Sequence, residues 1–211
     1  MNANAPSALK RRTQAERREE AERAILDAAT RIVAAKGLDE LTLADAGEAA
    51  GYSRGLPSHY FGSKAELLSS IVEYIREWFF TGLRASAKRR PGLGNLIAGI
   101  EFYFDACTSD REMLLALHTV LAGALHKPSL AKAISKLNGD SAKAIEDDIR
   151  AGVANGEIRR GIDAAAWSVL TLASARGVIA QWLVDPDRID LMALRTAFVT
   201  SVRRGLTPTE K

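Results

Sequence analysis

Between Thr42 and Lys64 the 211-residue chain gathers seven side chains able to hold a phosphate or meet the edge of a base: Thr42, Arg54, Leu56, Ser58, His59, Tyr60 and Lys64. Arg54 and His59 are by type the best donors to base edges in a major groove, and Leu56 suits a thymine methyl. Thr42 and Lys64 fall where helices should begin, so a hydroxyl, backbone amides and an ammonium can hold phosphate oxygens there. Ser58 adds a hydroxyl. Tyr60 suits a phosphate through its own hydroxyl, or else its ring braces the segment against Phe61. Taken singly, the charged members would be read as a solvated face; their common setting argues otherwise.

That setting is a succession of short helices. Thr42, with Asp45 three residues on, predicts a helix start, and Ala46, Ala49 and Ala50 give this helix a small, close-packing face. Gly51 supplies the left-handed backbone that ends it. Ser53 is of the type that caps a second helix carrying Arg54, Ser58, His59 and Tyr60. Pro57 removes an amide donor and biases Leu56 away from helical geometry, so this helix should start late, near Pro57, or be distorted in its first turn. A small-residue helix, a tight turn with Gly and a polar second helix are the needs of a helix-turn-helix. Gly47 lies inside the supporting helix, where it costs roughly 1 kcal/mol of intrinsic propensity. Ser63 to Glu66 then form a capping box before Leu67, Leu68, Ile71, Val72 and Ile75.

At these residues the chain resembles the TetR family of bacterial transcription regulators. The resemblance rests on Gly51, Ser53 and Gly55, on the pair Tyr60 and Phe61, and on Ser63, Lys64, Leu67 and Leu68. It departs at Ser58, where relatives often carry Tyr, and at Gly47, where Ala is more usual. The same G-x-S-x-G letters occur in the nucleophile elbow of an α/β-hydrolase, but that elbow needs a preceding strand, and none is predicted before Gly51. The resemblance implies a double-stranded DNA operator, a homodimer built from the last two long helices of each subunit, a small-molecule effector and, by default, repression. The alternative is a helical ligand-binding or interaction protein without operator binding.

Nearly all of the chain has helical period, which predicts an all-α protein: an N-terminal three-helix head joined to a larger helical effector-binding and dimerisation domain. We divide it into a basic arm over 1–12, the head over 13–62 and the body over 63–211. The first helix should run from the cap Thr13, paired with Glu16, to Lys36, with Ile25, Ala28, Ala29, Ile32 and Val33 on its packing face and Gly37 as its stop. Further helices are expected at 64–86, 95–107, 111–125, 129–154, 164–184 and 188–204, with Asp110 and Asp163 as caps. Net charge is only +3 at a pI of 9.1, so the local cluster Lys10, Arg11 and Arg12, with Arg17 and Arg18 behind, says more about an anionic partner than the total does. It reads equally as a solvated terminus. The single cysteine, Cys107, allows no internal disulfide and fits a reducing cytoplasm, and neither a signal peptide nor a membrane-length apolar run is seen.

Three scattered histidines and one cysteine give no metal spacing, Gly92 and Gly94 lack the strand of a nucleotide fold, and Glu146, Asp147 and Asp148 read as an exposed acidic face. No enzyme, cofactor or metal is therefore expected. In the body, Trp167, Leu170, Ser174, Gly177 and Gln181 can share one helix face, and Leu191, Leu194, Phe198 and Val202 another. Either stripe could pack within one subunit; the resemblance assigns Trp167, Leu170, Ser174, Gly177, Gln181, Leu194 and Phe198 to a dimer interface. Likewise Trp78, Phe102, Tyr103, Met113, Leu117 and His118 suit an ordinary core, and the resemblance implies an effector pocket among them.

Overall fold

A computed structural model describes residues 13–87 and 90–208. The arm residues Lys10, Arg11 and Arg12 lie outside this range. The described residues form α1 (Gln14–Lys36), α2 (Leu43–Ala49), α3 (Leu56–Phe61), α4 (Lys64–Ser86), α5 (Leu93–Ser109), α6 (Arg111–Gly123), α7 (Pro128–Ala154), α8 (Ala164–Val184) and α9 (Leu191–Leu206), with no strand among them. None of these helices is long and apolar enough to cross a membrane.

Local chemistry sets most helix ends. Thr13 and Ser63 each make a reciprocal capping box, with Glu16 and Glu66, and Asp163 accepts from the Ala166 amide at 3.0 Å. Gly37 and Gly51 stop α1 and α2 with φ of 86° and 78°. Several expected ends move: α5 spans 93–109 rather than 95–107, and α6 stops at Gly123 rather than at 125. Asp110 precedes α6, but its carboxylate accepts from the Ser109 hydroxyl at 2.7 Å rather than from a helix amide. The last helix begins at Leu191, not at 188, because Asp190 takes the Ala193 amide at 2.9 Å.

The head encloses Ile25, Ala29, Val33, Leu41, Ala46, Leu67 and Leu68, contributed by α1, α2, α4 and the segment before α2. The larger of these, Ile25, Val33, Leu41, Leu67 and Leu68, each contribute about 1.5–3 kcal/mol through burial. Beyond the head, α1 lies along α6, and the turn after α1 docks on the α6 end: Leu38 fills the space over Gly123, where a Cβ would come within 2.2 Å of its methyl. Helix α4 continues from the head into the body, where Arg76 ties it to Asp140 of α7 at 2.7 Å. There α7 packs on α4 and α8, and α5 on α9.

Candidate functional site

Two regions carry unspent chemistry: the exposed side of α3 with its turn, and a cavity inside the body.

Helix α3 starts at Leu56 behind Gly55, with Pro57 in its first turn, as the proline requires. Ser53 is not its side-chain cap; its carbonyl accepts from the Leu56 amide at 3.1 Å instead. Arg54 therefore sits in the turn, not on the helix, and its guanidinium meets Glu48 at 2.6 Å. Both partners are about two-thirds exposed (66% and 65%), so this pair holds weakly and the arginine is free to exchange it for a phosphate or base. Ser58 and His59 are exposed. Leu56 and Tyr60 are half-buried against the head core, and the Arg18 guanidinium lies 5.3 Å from the Tyr60 ring centre, so Tyr60 braces α3 against α1. Thr42 is committed to its cap, accepting from the Asp45 amide at 3.0 Å and donating to its carboxylate at 2.6 Å. Lys64 donates to the Asp39 carbonyl at 2.9 Å, and Lys127 pairs with the Asp39 carboxylate at 3.1 Å, so one turn joins α4, the head and the start of α7. Of the seven residues, then, Ser58, His59 and Arg54 present open donors, while Thr42, Leu56, Tyr60 and Lys64 already have structural partners.

Inside the body a cavity of about 60 Å³ is walled by Phe79, Phe80 and Leu83 of α4, Leu96, Ile100 and Tyr103 of α5, Ser141, Ile145 and Asp148 of α7, and Thr171, Leu172 and Ala175 of α8. A space of about 20 Å³ adjoins it behind Phe79, Tyr103, Ser141 and Leu172, and reaches Leu117 and Arg176. Of the six expected pocket residues, Tyr103 and Leu117 line this space and His118 touches its wall. Trp78, Phe102 and Met113 do not. Trp78 and Phe102 pack on each other with ring centres 6.0 Å apart, and Phe102 fits the notch over Gly82, so both face an outer groove; Met113 lies in another groove beside α1. An aromatic residue type does not say which side of a helix it occupies.

Polar groups converge at the inner end. Tyr103 Oη and His118 Nε2 lie 3.3 Å apart, Arg176 donates to Asn138 Oδ1, and the guanidinium and the Tyr103 hydroxyl are near enough to act on each other electrostatically. Burial raises the Tyr103 hydroxyl well above its ordinary range. Burial, and secondarily the charge of Arg176, push His118 down to about 4. Sequence reasoning missed Arg176, although a signal was present: it is the one charged side chain in the 21 residues of α8. At the other end Asp148 is turned inward, accepting from Asn95 and from the Gly92 amide, which corrects its placement on an exposed acidic face. Its neighbours Glu146 and Asp147 pair instead with Arg150 and Lys143 along α7. Buried Cys107 has its thiol pushed up to about 12, chiefly by desolvation, which leaves it unreactive. No group of three His, Cys, Asp or Glu that could hold a metal occurs among the described residues.

The neutral state of His118 makes a measurable demand. Its folded pKa of about 4 lies below the unfolded 6.5, so as pH falls from 6.5 towards 4 the unfolded chain takes up a proton that the folded chain refuses. Stability present above 6.5 is lost across that window, by about 2 kcal/mol between pH 7 and pH 5. Urea denaturation at both pH values should show this loss in the native chain and a smaller one in His118→Gln; equal losses would mean that the imidazole is not held neutral.

The expected dimer residues divide. Leu170 (56% exposed), Gly177 and Gln181 are open to solvent and Ser174 and Leu194 half-buried. Trp167 instead packs edge-on over Gly205, whose Cβ would come within 2.4 Å of the indole, and Phe198 stacks on Phe104 with centres 6.0 Å apart. Leu191 and Val202 are buried within the subunit. The most hydrophobic stripe of α9 thus serves its own core. Exposed apolar residues of α8 and α9 include Val169, Leu170 and Met192, all more than half exposed, with the small residues Ala166, Ala173, Gly177, Ala193 and Ala197 also open to solvent.

Comparison with known proteins gives a consistent picture. The family model for bacterial regulatory proteins of the tetR family matches residues 25–71, and that for the C-terminal part of BetI-type transcriptional repressors matches residues 95–207. The chain is 30% identical over 197 residues to the HTH-type transcriptional regulator TtgR of Pseudomonas putida, covering 86% of this chain and 89% of TtgR, and 28% identical over 187 residues to CymR of the same species, with the same coverage. The solved SmeT–triclosan complex superposes with a TM-score of 0.76 at 24% identity, over 89% of this chain and 92% of that one. FadR from Bacillus subtilis in complex with stearoyl-CoA does so with 0.74 at 18%, over 86% and 97%.

Proposed function

The chain belongs to the TetR family of helix-turn-helix transcriptional regulators, and we propose that it is a repressor that sits as a homodimer on a two-fold symmetric operator and leaves it when a small effector with a largely apolar body fills the cavity among α4, α5, α7 and α8. The observation that carries the DNA-reading half is the exposed face of α3, where the Ser58 hydroxyl and the His59 ring nitrogens are open to solvent, His59 resting only its ring face near Tyr60, with Arg54 in a weak, exchangeable pair beside them. The apolar walls of the cavity carry the effector half.

Linkage joins the two. A dimer reads both half-sites only if its recognition helices reach successive major grooves, roughly 34 Å apart. The 60 Å³ cavity lies far below the ~300–1,000 Å³ of a site that encloses a drug-sized ligand, so occupation must part α4 from its neighbours. Helix α4 carries that displacement to the head, where Lys64 holds the Asp39 turn. A ligand that prefers the parted state weakens operator binding by its differential affinity, typically about 1–3 kcal/mol.

Selection of bound duplexes from a random pool tests this reading, with His59→Ala alongside. The native chain should enrich a palindromic motif whose binding falls steeply with salt, and His59→Ala should bind that motif about tenfold more weakly, with relaxed preference at one position of each half-site. No enriched motif from a folded chain would sink the operator reading and favour a ligand-binding protein without DNA.

A further inference from the structure

We propose that the effector is an amphipathic acid, whose carboxylate is received by Arg176 while its apolar body fills the space between Phe79, Ile100 and Leu172. This rests on the ligand-responsive reading above and specifies the chemistry of its cavity. Arg176 is drawn into the body interior from a helix with no other charge, and it lines the inner space directly. Among the described residues no carboxylate acts on it, its hydrogen-bond partner Asn138 is neutral, and the one other group it feels is the Tyr103 hydroxyl. Arg176 is half-buried, a guanidinium drawn this far out of water is ordinarily matched by an anion, and its planar fork is shaped for two carboxylate oxygens.

A second polar group points the same way. Thr171, also on α8, is only 3% exposed, lines the adjoining cavity, and its hydroxyl oxygen has no hydrogen-bond partner. Native interiors rarely leave such a group unpaired, and a ligand oxygen would satisfy it. The remaining charges near the space do not compete. His118 is uncharged at neutral pH, and Asp148, at the far end, is occupied by Asn95 and the Gly92 amide. A cationic effector would meet Arg176 with like charge; an uncharged one would leave it uncompensated.

The test is a thermal-shift and calorimetric screen of the full chain against a fragment set of aryl and alkyl carboxylates, each paired with its primary amide and with the corresponding amine. Acids should supply the hits, binding about tenfold to hundredfold more tightly than their amides. Arg176→Gln should erase that preference, and Arg176→Lys, which keeps the charge without the fork, should retain part of it. Hits spread evenly over acids, amides and amines, no acid hit at all, or an acid preference that survives Arg176→Gln would each overturn the proposal. Should Arg176→Gln not fold, the amide and amine arms on the native chain still decide. Ligand binding is read without DNA, so a chain that takes acids but enriches no duplex counts against the regulator reading alone, whereas one that enriches a duplex but takes no acid counts against this inference.

Discussion

Gly47→Ala should destabilise the chain by about 2 kcal/mol and weaken operator binding about tenfold or more, although alanine is the better helix former by about 1 kcal/mol. The sign reverses because of what lies over the glycine. A Cβ there would sit 2.7 Å from the Ser53 carbonyl oxygen and 2.9 Å from two ring carbons of Pro57. Neither can yield cheaply. The Ser53 carbonyl belongs to a turn pinned by the Tyr52 amide on the Gly47 carbonyl at 2.9 Å and by the Leu56 amide at 3.1 Å, and Pro57 is a buried, rigid ring. The substitution must push α3 away from α2, displacing the helix that carries Ser58 and His59. Chemical denaturation and duplex titration check both parts. Gly55→Ala, with open space where its Cβ would go and an ordinary backbone φ of −85°, should be nearly silent in stability. If Gly47→Ala were as stable as the native chain, the close approach of α2 and α3 would not be what fixes the recognition helix.

The same pair of residues shows where sequence reading succeeds and where it stops. Pro57 forces a late helix start through its own ring, a local effect, and α3 does begin at Leu56. The capping boxes at Thr13 and Ser63 are equally local and equally legible. Gly47, read alone, is only a weak helix residue; its reason lies in a turn six residues away, which no propensity contains. The cavity was harder still. Trp78 and Phe102 carry the residue types of a pocket but face outward, while Leu83, Ile145 and Leu172, with no distinguishing chemistry, line it. Helix α8 spreads its apolar residues around its whole circumference, with Ser168, Thr171, Ser174 and Gln181 scattered among them, so its period could not orient it, and Trp167 turns out to pack over Gly205. Arg176 is the one charge in α8.

Leu170→Asp should turn the proposed dimer into a monomer at micromolar concentration and remove operator recognition with it. Leu170 is 56% exposed in the subunit, as are its neighbour Val169 at 59% and, on α9, Met192 at 57%, and both helices carry small exposed residues that would let a partner helix approach closely. In an isologous interface every substitution is made twice. Each Leu170 completes its burial on association, worth roughly 1 kcal/mol for the half still exposed. Replacement by Asp also places two carboxylates in a low-dielectric contact, where each costs about several kcal/mol unless paired. Together these raise the dimer dissociation constant by about three orders of magnitude or more. A single head holding one half-site then binds DNA at non-specific strength, because the second half-site no longer contributes. Sedimentation velocity at several concentrations and duplex titration with the selected motif would read the two losses together. Leu125→Asp is the control: Leu125 is 80% exposed just beyond α6, outside the proposed interface, and its substitution should leave a dimer. A Leu170→Asp chain that remained dimeric and kept its operator would place the interface on another surface, and a monomer that still bound both half-sites with native affinity would mean that two-fold pairing is not the basis of recognition.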